Sequence, residues 1–189
     1  FFEIDNLNTR HDFIKARAES DSNALKKKFS NDLIFRKNSP SNSSCKSLYK
    51  IAEKARYETL GSKMLKGIEK NLIENYNQMI SLKKKDQIKS KEDVPIIEAF
   101  ELYMLKNFHN INLDTFTTKM LNVWKKDFDK SIFHHIEFLK NNLDDQNIYS
   151  SRFTKILQEM DIFEPNNEEY PNEESQEENQ ENPSNENNE

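Results

Sequence analysis

Apolar residues recur every three or four positions along most of this chain, the period of an α-helix with a buried face. The longest such stretch runs from about Cys45 to about Ile80. In it Tyr57, Gly61, Met64, Ile68 and Leu72 form one stripe, and Leu65, Tyr76 and Met79 continue it. Cys45, Leu48, Ala52, Ala55 and Thr59 form a second stripe on a different face. Two stripes predict an element gripped from two sides, the central helix of a bundle. Both glycines of the protein, Gly61 and Gly67, fall inside it. Each costs about 1 kcal/mol in a helix relative to alanine. The pattern therefore predicts a reason for them, either a bend at Gly61 or the close packing of another helix.

The same period places the flanking elements. A helix is predicted from about Thr9 to Phe29, with Ile14, Ala18, Leu25 and Phe29 along one side. Arg17 and Asp21 lie four residues apart on it and can pair. Asn38 to Ser44 is a loop of turn-forming residues broken by Pro40. Val94-Pro95 opens the next helix, with Asp93 as its cap and Ile97, Phe100, Met104 and Phe108 on its buried side. Asn110 to Leu113 is a turn. Asp114 caps a helix whose Phe116, Met120, Val123 and Trp124 face inward. A helix from about Lys130 to Leu143 buries Ile132, Ile136, Leu139 and Leu143. The last, about Ile148 to Asp161, buries Tyr149, Phe153, Ile156, Leu157 and Met160. Phe1 to Asn8 reads as irregular, with Phe-Phe-Glu-Ile fitting the end of a strand. The expectation is an all-α bundle of about six or seven helices over residues 1–163. Scarce glycine agrees, since β-rich chains need glycine turns.

Charge changes this picture at one end. The 189 residues carry a net charge of −5, but residues 164–189 hold ten Glu, eight Asn and no Lys or Arg. The rest has 28 basic and 23 acidic side chains, a charge of +5. A Glu- and Asn-rich segment with Tyr170 as its one aromatic residue buries too little apolar surface to offset its chain entropy. Residues 164–189 are thus expected to be a disordered acidic linker. The connector from Lys83-Lys84-Lys85 to Asp93 has no aromatic residues among its lysines, so it reads as a solvated helix end, not a nucleic-acid patch. No run approaches the roughly 18 apolar residues of a membrane span. A soluble, cytoplasmic protein is the expectation.

Candidate chemistry is sparse. One cysteine, Cys45, excludes an internal disulfide, and its place on an apolar stripe predicts a buried thiol. His134 and His135 point about 100° apart on a helix, unlike an i, i+4 chelating pair. Gly61 to Gly67 lacks the spacing and the Lys-Ser/Thr of a phosphate loop. Asp129-x-Ser131-x-Phe133 lacks the second serine of the metal motif of A-type domains. No catalytic residue, metal ligand or cofactor-binding residue is expected in this segment.

The central stretch also carries a resemblance. Glu53-x-Ala55-Arg56-x-Glu58-x-Leu60-Gly61, followed by Gly67-Ile68 and Asn71-Leu72, resembles the N-terminal region of the CobT family, which reads E-Q-A-R-V-E-A-L-G and then G-V-x-x-N-L at the same spacing. Upstream, Arg17-x-x-x-Asp21-Ser22-x-Ala24-Leu25 is similar to R-G-x-A-D-S-x-A-L, with Ala18 in place of the usual glycine. Downstream, Asp93-x-Pro95-Ile96, Trp124 and Asp145-Gln146 follow in the family's order, while Leu65 stands where methionine is common. The resemblance implies a non-catalytic part of a subunit of the aerobic cobaltochelatase, a ligase inserting Co²⁺ into hydrogenobyrinic acid a,c-diamide in cobalamin biosynthesis. It implies two partners, an AAA+ ATPase subunit and a large corrin-binding subunit, and a complex that uses ATP, Mg²⁺ and Co²⁺. It also implies that the acidic linker leads to an A-type domain. Arg17, Asp21, Glu53, Arg56, Glu58, Gly61, Gly67 and Asn71 are its candidate interaction or structural residues. Arg56 and Glu58 are expected to organise an inter-helix or inter-subunit contact, so that reversing both charges weakens assembly without unfolding the chain. An alternative reading is an adaptor for an AAA+/A-domain pair that acts on another protein client. A basic helical module for nucleic acid has only the charge of +5 in its favour.

Overall fold

The structure, a computed structural model, describes residues 9–83 and 88–160, and the description that follows is confined to them. The expected strand end at Phe1 to Asn8, part of the lysine connector and the acidic segment lie outside the described residues. The elements are α1 (Arg10–Phe29), α2 (Asp32–Asn38), α3 (Ser43–Met64), α4 (Lys66–Ser81), α5 (Ile96–Phe108), α6 (Thr115–Ile132), α7 (Ile136–Asn141) and α8 (Gln146–Gln158). Short 3₁₀ turns at Lys91–Asp93 and Phe133–His135 complete them. The all-α class is as expected.

Side-chain caps start most of the long helices. Thr9 and Asp12 form a reciprocal capping box at α1, and Asn42, Asp114 and Asp145 accept backbone N–H bonds at α3, α6 and α8. The end of α5 uses Asn110, whose φ of 53° lies in the left-handed region. Ile111 N–H reaches back to Leu105 O at 3.3 Å, closing the helix as glycine usually does.

α3 is the centre. α1, α4, α5 and α8 all pack on it. Its residues Cys45, Leu48, Tyr49, Ala52, Ala55, Tyr57, Thr59 and Gly61 are buried, so both stripes find partners. α4 then folds back along α1 and α3. The far side of the core is aromatic: Phe100 meets Phe128 and Phe153 edge-on, and Tyr149 stacks on Phe153.

Several expectations need correction. The central element is bent at Leu65, not at Gly61. Leu65 is extended at φ −132°, ψ 100°, and ends α3 and opens α4. Because the chain reverses there, Met64 and Leu65 sit on the outside of a corner, 59% and 55% exposed, despite their place in the stripe. Residues 30–37, for which no element is predicted, hold most of α2, which packs on α8 and runs on to Asn38, the first residue of the expected loop. Asp93 caps the 3₁₀ turn, accepting from Lys89 N and Ser90 N, and Pro95 itself precedes α5. Ile97 is exposed. The break expected near Lys130 falls at Phe133–His135, because Phe128 and Ile132 keep α6 buried through its last turn.

Candidate functional site

Three charged side chains of α3 lie in the interior: Glu53, Arg56 and Glu58 are 2%, 0% and 1% exposed. Solvation of a helix face is therefore not their role. They form two clusters.

The first is centred on Arg56. Its Nε donates to Glu53 Oε2 at 3.2 Å, Nη1 to Leu143 O at 3.0 Å, and Nη2 to Phe29 O at 2.7 Å and Ser30 Oγ at 3.2 Å. Phe29 ends α1, so the guanidinium sits where the helix dipole favours a cation. Glu53 is filled from the other side: Ser150 Oγ donates at 2.5 Å and Gln146 Nε2 at 3.1 Å. Gln146 Oε1 in turn accepts Asn31 N–H at 2.7 Å, at the start of α2. Tyr149 adds a bond from its hydroxyl to Ala52 O at 2.9 Å. One ion pair thus joins α1, α2, α3, α8 and the turn after α7. A buried pair compensates its desolvation only when the remaining donors and acceptors are also engaged, and here each guanidinium nitrogen and both Glu53 oxygens carry a hydrogen bond.

The second cluster surrounds Glu58. Ser22 Oγ of α1 donates to it at 2.6 Å, and the Tyr76 hydroxyl of α4 donates to its other oxygen. His109 Nε2, just after α5, lies 3.6 Å away. That distance is within reach of an ion pair, but burial drives both groups toward their uncharged forms. Desolvation holds the Glu58 carboxyl above its usual range, against the pull of Lys54 and the two hydroxyl donors. Burial, with the nearby Lys54 charge, lowers His109 to about 4. Two facing ions would have to be desolvated together, and burial outweighs the Ser22 and Tyr76 donors at Glu58, so we read the His109–Glu58 contact as uncharged.

The remaining candidates are placed as follows. Asp21 accepts from Asn71 Nδ2 at 2.6 Å, joining α1 to α4, while Arg17 is exposed; the expected Arg17–Asp21 pair does not form. Gly61 is buried against α1. A Cβ built there would stand 2.3 Å from Leu25 Cδ2 and 2.8 Å from its Cγ, inside contact distance. Gly67 has nothing within 4 Å of such an atom, so close packing explains Gly61 alone. Arg56 and Glu58 are enclosed by their own chain and their contacts run between its helices, the inter-helix form of the expected contact. Reversing both would set like charges against buried partners, and a folded double variant is not expected. Sequence reading missed Ser22, Tyr76, His109, Gln146 and Ser150 as partners, because they lie 18 to 97 residues from the carboxylates they meet.

Among the described residues no group of three or more His, Cys, Asp or Glu side chains is placed to hold a metal ion. No described helix is long and apolar enough to cross a membrane.

The arrangement defines a class: a helical domain whose central helix commits Glu53, Arg56 and Glu58 to internal cross-bracing. The chain belongs to the family of the cobalamin biosynthesis protein CobT, whose model matches residues 3–189. Membership places it in cobalamin biosynthesis, among the subunits of cobaltochelatase. No solved structure matches the chain.

Proposed function

We propose that this domain is a non-catalytic scaffold of the cobaltochelatase, carrying movement from an AAA+ ATPase subunit to the large subunit that holds the corrin. The family match over residues 3–189 is the observation that carries this reading. The interior supports it. A part that transmits displacement must move as one body, and the Arg56 and Glu58 clusters fasten α1, α2, α4, α5 and α8 to a single helix. Cobalt insertion requires Co²⁺ to lose water and the macrocycle to distort. ATP hydrolysis with Mg²⁺ in the partner supplies that work, and this domain directs it. Contacts with partners then come from exposed side chains. The corner at Met64 and Leu65 is one such place, with two apolar side chains held outward by the chain reversal.

The test is capture of the AAA+ subunit by the protein, with and without ATP, and the same for Met64→Ser combined with Leu65→Ser. Capture by the parent and several-fold weaker capture by the variant at unchanged melting temperature are expected. No capture by the parent under either condition would overturn the scaffold reading. Equal capture by parent and variant would remove the corner from it.

A further inference from the structure

A cleft of about 830 Å³ lies between the end of α1, α2 and the first half of α3. Five basic side chains line it: Lys26, Arg36, Lys46, Lys50 and Lys54. The carboxylates facing them are Asp32 and Glu53, and Glu53 is already taken up by Arg56. Among the described residues Lys26, Arg36 and Lys46 have no carboxylate within ion-pair distance. Ser39 also lines the cleft, and its Oγ is buried without a hydrogen-bond partner, a cost of about 1–3 kcal/mol unless a ligand supplies one. Phe35 and Tyr57 give apolar and aromatic surface beside the charges. Such a lining suits a chain of carboxylates spaced by small polar residues.

We propose that the cleft holds a glutamate-rich peptide segment, and that the segment is this chain's own 164–189. The charges are complementary: ten Glu and no Lys or Arg against five bases. The route is short. α8 ends beside α2, where the Thr154 hydroxyl donates to Asn38 O, and α2 forms one wall of the cleft. The 29 residues after Met160 reach up to about 100 Å if extended, far more than needed. A segment tethered so near is presented at an effective concentration of the order of millimolar, so weak contacts suffice. Occupied, the cleft has its lysines neutralised; unoccupied, it offers a basic surface. The segment is thereby a competitor for any acidic partner that approaches α2 and α3.

The experiment compares amide chemical shifts of the full chain with those of a chain whose ten glutamates in 164–189 are replaced by glutamine. Shifts are expected at residues 30–39 and 46–57 and not along α6. Raising salt toward 1 M, where the Debye length is about 3 Å, should reproduce them in the parent. In a Lys26→Gln, Arg36→Gln, Lys46→Gln background the tail replacement should change nothing further. Identical spectra at 30–57 with either tail would overturn the proposal. So would shifts spread over basic residues remote from the cleft, or shifts that vanish on dilution, which would assign the contact to a second copy.

Discussion

The two polar clusters on α3 differ in how they use charge. Glu53 and Glu58 are five residues apart, about 7.5 Å along the helix. Both carboxyl groups are buried. Glu53 faces a guanidinium whose other N–H groups are bonded to the ends of α1 and to the 143 turn. Glu58 faces two hydroxyls and an imidazole, and is driven toward its neutral form. The first cluster holds as an ion pair because each guanidinium nitrogen and both Glu53 oxygens are hydrogen-bonded. The second holds as a set of ordinary hydrogen bonds around an acid that burial discourages from ionising. The same residue type, on the same helix at the same depth, thus serves as a fixed charge in one place and a hydrogen-bonding group in the other. Geometry of partners decides, not burial.

This comparison can be broken by one substitution made twice. Glu53→Gln leaves Arg56 buried without its counter-ion, and should cost about 3–5 kcal/mol in urea denaturation. Glu58→Gln, measured the same way, leaves the site uncharged, keeps one acceptor oxygen and puts an amide N–H where the other was, so that one of the Ser22 and Tyr76 hydroxyls turns to accept. It should cost about 1 kcal/mol or less. Equal losses at the two positions would erase the distinction.

The next effect in size is on pH. His109 lies near 4 in the folded chain against 6.5 in the open one, so its contribution is fully present above about 6.5 and is lost as pH falls toward 4. Glu58 acts oppositely, since its raised value makes the folded state bind the extra proton as pH falls below that value. Replacing histidine removes the first effect alone. His109→Gln should therefore gain on the parent by about 2–3 kcal/mol between pH 7 and pH 4, read as the difference between their denaturation profiles. Parallel profiles would show that His109 is not held neutral.

A smaller effect is expected at Gly61. The space for a Cβ is already filled by Leu25, so Gly61→Ala should lower stability by about 1–3 kcal/mol, with Gly61→Leu worse. An exposed helix position would instead gain up to about 1 kcal/mol from the same alanine. Thermal unfolding of the alanine variant distinguishes the two by sign.

Much of the fold was legible in the sequence, because helical period and capping residues are local. Thr9 and Asp114 mark helix starts, and the double stripe of 45–59 marks the buried centre. What stayed hidden is set by distance in sequence. The bend falls at Leu65, where no glycine or proline announces it, because α4 must return along α1 and α3. Met64 and Leu65 keep the stripe's period and yet lie outside, a consequence of that reversal. Arg56 carries no sign of burial in its own neighbours, and only Leu143 and Phe29, folded around it, enclose it fully. His109 carries no sequence signal at all, since Glu58 and Tyr76 reach it through packing of α4 and α5.

The central claim is that Arg56 braces the domain from within and presents nothing to a partner. Urea denaturation of Arg56→Met against the parent tests it most directly. The substitution keeps much of the side-chain stem and deletes the charge, leaving Glu53 and the carbonyls of Phe29 and Leu143 without their donor. The account predicts a loss of about 3–5 kcal/mol. A variant as stable as the parent, but defective in holding the AAA+ subunit, would contradict it.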